Sequence, residues 1–322
     1  MGFSDHISDT NSAPLIPTEQ STEIIKMTKE ASAMLQLAKR LPDLPRKTRT
    51  LKVEDSLANV YMVNGPSGAN APGLKQTSDM GWRDVVLTAE ELAVIVPISQ
   101  EQLDDAMVPI WPEVREQIAA KMGAAVDEAM LGGTVGGVAV FASWPTGGAI
   151  AHAIAAGNTC SLAAFADIYD ALLTNGGVFN LMELDGYTPD AVLATTTVRS
   201  VLRGCRDANG QPIFNRVPGQ GMTYELDGVP CLFPKNASYP GATNLLAIQR
   251  DQIVYAMRQD LSYTLATEGV ITDGAGNVLI NLFQQDMVAL RAVLRIGFAF
   301  PNPVNLMRPA IAARSPFSVL TA

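Results

Sequence analysis

Between residues 92 and 130 the chain changes its hydrophobic period. Leu92, Val94, Val96 and Ile98 alternate with other residues, the period of a strand with one buried face. Val114, Ile118, Met122 and Val126 then recur every four residues, with Met130 continuing the stripe, which is helical spacing. The junction carries its own punctuation. Ser99 and Gln102 fit an S-x-x-Q capping box for a short helix through Met107, Pro109 interrupts, and Pro112 suits the first position of the next helix. Leu131-Gly132-Gly133 supplies the stop, which predicts a helix of roughly twenty residues, about 30 Å long.

The same reading extends outward. Residues 1–17 form an extended arm, and Ile24, Ala31, Leu35 and Ala38 predict a helix from about Thr18 to Arg40, ended by Leu41-Pro42-Asp43-Leu44-Pro45. Residues 49–63 read as a strand and 82–98 as its return, separated by NGPSGANAPGLKQTSDMG (64–81), which is too long for a tight hairpin turn. A two-stranded ribbon of this length is marginal alone in water, so its apolar face calls for cover from another molecule. Downstream, a helix is expected from Ser161-Leu162 to about Leu173. A strand and helix follow in 190–206, then a hairpin in LDGVPCLF (226–233) and strands at 244–257 and 278–300 around the turn Asp273-Gly274-Ala275-Gly276-Asn277. The fold class is therefore α+β, without solenoid repeats.

Composition narrows the function classes. With 322 residues and 48% apolar content the chain has ample material for a large core. A net charge of -9 disfavours tight wrapping of nucleic acid, which needs clustered Lys and Arg. The three cysteines, Cys160, Cys205 and Cys231, form no C-x-x-C pair and read as reduced core residues. The N-terminus has no secretory signal pattern. The run from Ala129 to Ala166 lacks Asp, Glu, Lys and Arg, but its seven glycines and Trp144-Pro145 make it a poor membrane span, and it reads as buried or interfacial loops.

Catalytic chemistry finds little support. Only His6 and His152 are available for a Ser-His-Asp or Cys-His arrangement. There is no H-E-x-x-H or zinc-like cysteine spacing, no P-loop and no G-x-G-x-x-G. Gly65-Pro66-Ser67-Gly68 lacks the spacing of a nucleophile elbow. Asp207-Ala208-Asn209-Gly210 opens like a calcium loop but lacks the later ligands. No catalytic, cofactor-binding or metal residue is assigned. Arg46, Lys47 and Arg49 form a basic cluster at the base of the long loop, suited to an acidic patch on a neighbour.

The order of these segments resembles that of tailed-phage major capsid proteins of the Hong Kong 97 type, from about Pro14 to Met307. The landmarks are PLIPTEQSTEII (14–25), W-R-D-V-V-L (82–87), VPISQEQLDDA (96–106), MLGG (130–133), WPTGG (144–148), RDANGQPIF (206–214), LDGVPCLF (226–233) and ALRAVLRIGFAFPNP (289–303). The resemblance implies an N-terminal arm and first helix (1–45), an extended E-loop (46–98, tip 64–81) and a peripheral domain (99–184) with a long spine helix (112–131). It further implies an axial domain (185–260), a return to the peripheral domain (261–296) and a C-terminal segment in the axial domain (297–322). The implied role is structural, not enzymatic: pentamers and hexamers of this one chain, assembled in the host cytoplasm, form an icosahedral virion shell around double-stranded DNA. Gly65, Pro66, Lys75 and Trp82 on the E-loop, with Arg46, Lys47 and Arg49 at its base, are the candidate contacts between subunits.

Some relatives crosslink their shells through an E-loop lysine, an asparagine and a glutamate. Lys75 matches the lysine, but Asp286 stands at the asparagine position and Val293 at the glutamate position. Valine cannot shuttle a proton, so a non-covalent shell is expected. Because the entry motif begins near Pro14, the resemblance implies a separate scaffolding protein and portal, with a cementing protein as a possible addition, and no membrane partner. An encapsulin-like compartment is the same-fold alternative, and a soluble enzyme with an unrecognised site is the alternative from another class.

Overall fold

The computed structural model describes residues 32–61, 77–106, 109–206, 209, 211, 224–235, 243–273 and 275–321. Two sheets organise them. The first has four strands in the spatial order Lys39–Arg40, Val254–Ala266, Met287–Ala299, Glu90–Ser99. The two long central strands pair antiparallel from Val254↔Ala299 to Ala266↔Ala289, with irregularities near Gln259. Glu90–Ser99 adds antiparallel on one side, and Lys39–Arg40 adds parallel on the other.

A helix of 23 residues, Ile110–Gly132, lies against this sheet and spans about 35 Å. Ile118 and Met122 pack on Leu290 and Ala292 of the central strand, and Leu92 and Val96 of the edge strand lean on the same cluster. Farther along, Val126, Ala129 and Met130 enter a larger core with Met34, Trp144, Ile296 and Phe298. Pro112 is the third helical residue, where its missing N–H breaks no intrahelical bond. The helix stops at Gly133, whose φ of 63° falls in the left-handed region that glycine enters without strain.

The second sheet has six strands in the order Thr159–Ser161, Phe317–Thr321, Thr243–Ile248, Ala191–Ala194, Val229–Leu232, Tyr224–Leu226. All four residues of Ala191–Ala194 are fully buried, because helices cover both faces. Helix Gly148–Ala156 sits over Leu193, Leu246, Phe317 and Val319. Helices Ile168–Leu173, Val178–Leu184 and Thr196–Gly204 cover Val192, Ala194, Leu245 and Leu320. Asp227 and Gly228, at φ of 50° and 76°, make the two-residue turn of the hairpin anticipated in LDGVPCLF.

Several expectations change. The expected helix 18–40 is helical only over Ala33–Leu37 among the described residues, because Ala38 is extended and Lys39–Arg40 joins the sheet. The arm at 1–17 lies outside the described residues. The run 82–98 is two strands, Gly81–Thr88 and Glu90–Ser99, which belong to different sheets. The stretch 129–166 is not loop throughout: it holds the small hairpin Thr134–Val135/Val138–Ala139 and the helix Gly148–Ala156. The expected helix from 161 starts at Ile168 after a 3-10 turn, and Val178–Leu184 was not anticipated. The expected strand at 244–257 breaks at a 3-10 turn over Arg250–Gln252, and that at 278–300 breaks before Met287. The six-stranded sheet and its helices include residues well before 185, and Val254–Ala266 belongs to the four-stranded sheet.

Candidate assembly surface

The long loop rests on a root built by distant residues. Thr48–Ser56 and Gly81–Thr88 form a two-stranded antiparallel ribbon. Its inner face, Leu51, Val85 and Leu87, packs on Leu41, Val254, Ala256 and Ala299. Where the ribbon meets the body, Ala89 N–H donates to Lys47 O at 2.7 Å. The indole N–H of Trp144 donates to Thr88 O at 3.0 Å. Gly297 lies beneath this crossing: a Cβ there would stand 2.5 Å from Thr88 O. Glu90 completes the root, 3.0 Å from Lys47 Nζ and accepting from Ser143 Oγ at 2.8 Å. Burial opposes ionisation of Glu90, but the Lys47 ammonium and the Ser143 hydroxyl outweigh it and hold the carboxyl below its ordinary range.

A second attachment lies farther up the ribbon. Arg83 Nη2 donates to Pro301 O at 2.7 Å and Asn302 O at 3.1 Å, while Val304 N–H donates to Glu54 O at 3.0 Å. The loop that receives both strands is itself fixed. Fully buried Arg314 donates to Asn302 O at 3.2 Å, Tyr187 donates to Asn302 Oδ1, and fully buried Asp185 accepts from Asn158 Nδ2 and Ser315 N–H. Asp185 also lies 2.8 Å from Arg308 Nη1.

Side-chain alternation turns the other ribbon face outward. Trp82 is 64% exposed and stands opposite Glu54; Val86 is 50% exposed, and Lys52 and Asp84 pair between them. On the body, the edge strand is only partly covered by the long helix, leaving an apolar cavity of about 400 Å³. It is lined by Leu92, Val94 and Val96 from the strand, Val114, Ile118 and Met122 from the helix, and Val135, with Gln117 and Lys121 at the rim.

Of the residues named from sequence, Trp82 is on the exposed ribbon face. Lys47 pairs with Glu90, Arg49 donates to Pro42 O at 2.9 Å and Asp43 O at 3.1 Å, and Arg46 is exposed. Gly65, Pro66 and Lys75 lie outside the described residues. Val293 is buried within the central strand and Asp286 is exposed just before it, with φ of 46°. Sequence reasoning missed Gly297, Trp144, Asp127 and the Arg314 network. Asp127 offered a signal: its neighbours one helical turn away, Ala124, Met130 and Leu131, are apolar, and it is fully buried and accepts from Ser32 Oγ, Ala33 N–H and Met34 N–H.

The groups that resemble catalytic parts do not assemble a reactive centre. His152 Nδ1 lies 3.0 Å from Ser315 Oγ, but Ser315 is fully buried and Asp185 meets its backbone N–H, not the imidazole. Burial pushes the His152 pKa down and pushes the Cys231 thiol up to about 12, which leaves both neutral at pH 7. All three cysteines are buried and free. Among the described residues no group of three metal-ligating side chains occurs, and no helix is long and apolar enough to cross a membrane.

A sequence profile described as the phage capsid family matches residues 13–307. The major capsid protein of Staphylococcus phage 80alpha is 25% identical over 285 residues, covering 87% of this chain and 79% of that one. A solved chain from Microbacterium phage Oxtober96 superposes with a TM-score of 0.81 at 30% identity, covering 98% and 99% of the two chains. One from Mycobacterium phage Bobi gives 0.79 at 26%, with 98% of each covered.

Proposed function

Because this chain belongs to the phage capsid family and is a major capsid protein with the Hong Kong 97-type fold, we propose that it builds its shell by non-covalent overlap of the ribbon on neighbouring copies. The observation that carries this is the ribbon's asymmetry. One face is packed on the subunit, and the other leaves Trp82 and Val86 uncovered on the same strand.

In this reading the ribbon and its tip are the E-loop, and Trp82, with Gly65, Pro66, Lys75 and Arg46, contacts the next subunit. Lys47 and Arg49 act at its base, where they hold the root in register. The four-stranded sheet with the long helix is the peripheral domain, and the six-stranded sheet with its helices is the axial domain that converges in pentamers and hexamers. The assembled product is an icosahedral virion shell, formed in the host cytoplasm around a separate scaffolding protein and portal, then filled with double-stranded DNA. The acidic net charge of -9 supports a contact with DNA that does not fix it in place. A cementing protein on the outside is compatible with a shell that lacks covalent links. The chain's work is assembly and not turnover, and no cofactor enters it.

Electron microscopy of the purified protein and of phage lysate tests the reading. Closed shells containing DNA when mature are expected. A protein that stays monomeric or dimeric in all solution conditions would overturn it, and closed shells loaded with an enzyme in place of a genome would favour the compartment alternative.

A further inference from the structure

We propose that the cavity between the long helix and the edge strand Glu90–Ser99 receives the outer ribbon face of a second copy of this chain, with that copy's Trp82 as the plug and its Glu54 placed beside Lys121. This rests on the reading that the ribbon overlaps a neighbour, and it adds where the ribbon lands.

Shape, polarity and charge agree. The cavity of about 400 Å³ is large enough for an indole, and its floor is aliphatic, from Leu92, Val94 and Val96 on one side and Val114, Ile118 and Met122 on the other. It exists because Glu90–Ser99 is a sheet edge, so the helix covers it from one direction only and leaves Val94 36% exposed. Trp82 is the complementary shape: a large side chain, 64% exposed, held on a strand whose root and upper attachment fix its direction. Tryptophan in a desolvated pocket is the residue type that most often dominates an interface.

The rim repeats the match. Lys121 is exposed and has no carboxylate within ion-pair distance among the described residues, and Glu54, opposite Trp82, likewise has no cation partner among them. Asp84, by contrast, is already paired with Lys52. The chain's own ribbon cannot fill the cavity. Trp82 alternates onto the face opposite Leu51, Val85 and Leu87, which are the residues that rest on the body. A Trp82 that enters the cavity therefore comes from a second copy.

Disulfide trapping and charge reversal test this in shells isolated from expressing cells. Glu54→Cys combined with Lys121→Cys in one chain, oxidised and denatured without reductant, is expected to give ladders of multimers, and each single substitution to give monomer. Glu54→Lys and Lys121→Glu alone are each expected to lower shell yield about tenfold, and together to recover most of it. Trp82→Ala is expected to lose shells while the unassembled subunit keeps its melting temperature. Lys121→Cys should react with a maleimide in unassembled subunits and become protected in shells.

If Trp82→Ala blocks assembly but the double cysteine variant gives no ladder and charge reversal no rescue, the ribbon lands elsewhere: this proposal fails and the overlap reading stands. If Trp82→Ala assembles at the wild-type yield and stability, both fail. Protection of Lys121→Cys already present in the unassembled subunit would mean that the chain's own residues fill the cavity, which also overturns the proposal.

Discussion

Gly297 and Thr88, 209 positions apart, touch backbone to backbone: a Cβ at 297 would fall 2.5 Å from Thr88 O and 2.8 Å from its carbonyl carbon. The atoms it would strike are main chain, so no side-chain rotation relieves the clash. Gly297→Ala is expected to lift the ribbon root from the sheet and to destabilise the subunit by about 1–3 kcal/mol, read as a lower denaturation midpoint with an unchanged slope.

Arg83 makes the upper attachment through two carbonyl acceptors, Pro301 O and Asn302 O. Arg83→Ala removes both bonds while leaving the root intact. Faster amide exchange and protease cutting confined to the ribbon are expected, with the melting temperature of the body little changed. Equal acceleration throughout the body would show that Arg83 holds more than the ribbon.

Asp127 joins the residues entering the first described helix to the C-terminal third of the long helix through three donors, two of them backbone N–H groups. Asp127→Ala leaves those donors unsatisfied in the core and is expected to cost about 2–4 kcal/mol. Ser32→Ala, which removes only the hydroxyl at the cap, is expected to cost about 1 kcal/mol. Chemical denaturation of the unassembled subunit separates the two.

His152 is held neutral mainly by burial, with Arg83 adding to the effect, among Ser315, Phe300 and Phe317. Its folded pKa lies below the ordinary 6.5, so the unfolded chain binds the proton first as pH falls. The stability contributed by neutral His152 is thus complete above pH 6.5 and is lost as pH drops through the depressed folded value. Melting temperatures measured on descending pH should fall in that window, and His152→Asn should flatten the fall.

Val293, which the family resemblance matches to the glutamate that assists an isopeptide bond in some relatives, is 8% exposed within the central strand, paired with Ala93 and Ser262, and has no acid or base to offer. Denatured shells are expected to contain only the 34.2 kDa chain by intact mass. Ladders joined through Lys75 would contradict this.

What the sequence made legible was whatever is encoded nearby. The Ser99 cap forms, with Gln102 N–H donating to Ser99 Oγ at 3.4 Å, although the helix it opens ends at Asp104 and not at Met107, and the four-residue stripe from Val114 to Val126 is the packed side of the long helix. What stayed hidden has its cause elsewhere in the chain. Thr88-Ala89-Glu90 contains neither glycine nor proline, so the run 82–98 reads as one strand; the break is imposed by Lys47, Trp144 and Gly297. The helix at Gly148–Ala156 was hidden for the opposite reason, since its flanking glycines read as loop but serve a close approach: a Cβ on Gly148 would meet Leu131 O at 2.5 Å. Trp82 was legible as a candidate; the cavity was not, because it arises only where a strand edge and a helix face fail to close.

The strand Phe317–Thr321 lies inside the six-stranded sheet, between Thr159–Ser161 and Thr243–Ile248. On the ribosome that sheet keeps a gap until residue 321 has left the exit tunnel, and the seat at Gly297 is likewise made late. The ribbon's two strands can pair early, and Lys47 and Trp144 can reach them soon after, but the seat beneath Thr88 is complete only once Gly297, 209 positions farther along, has been made.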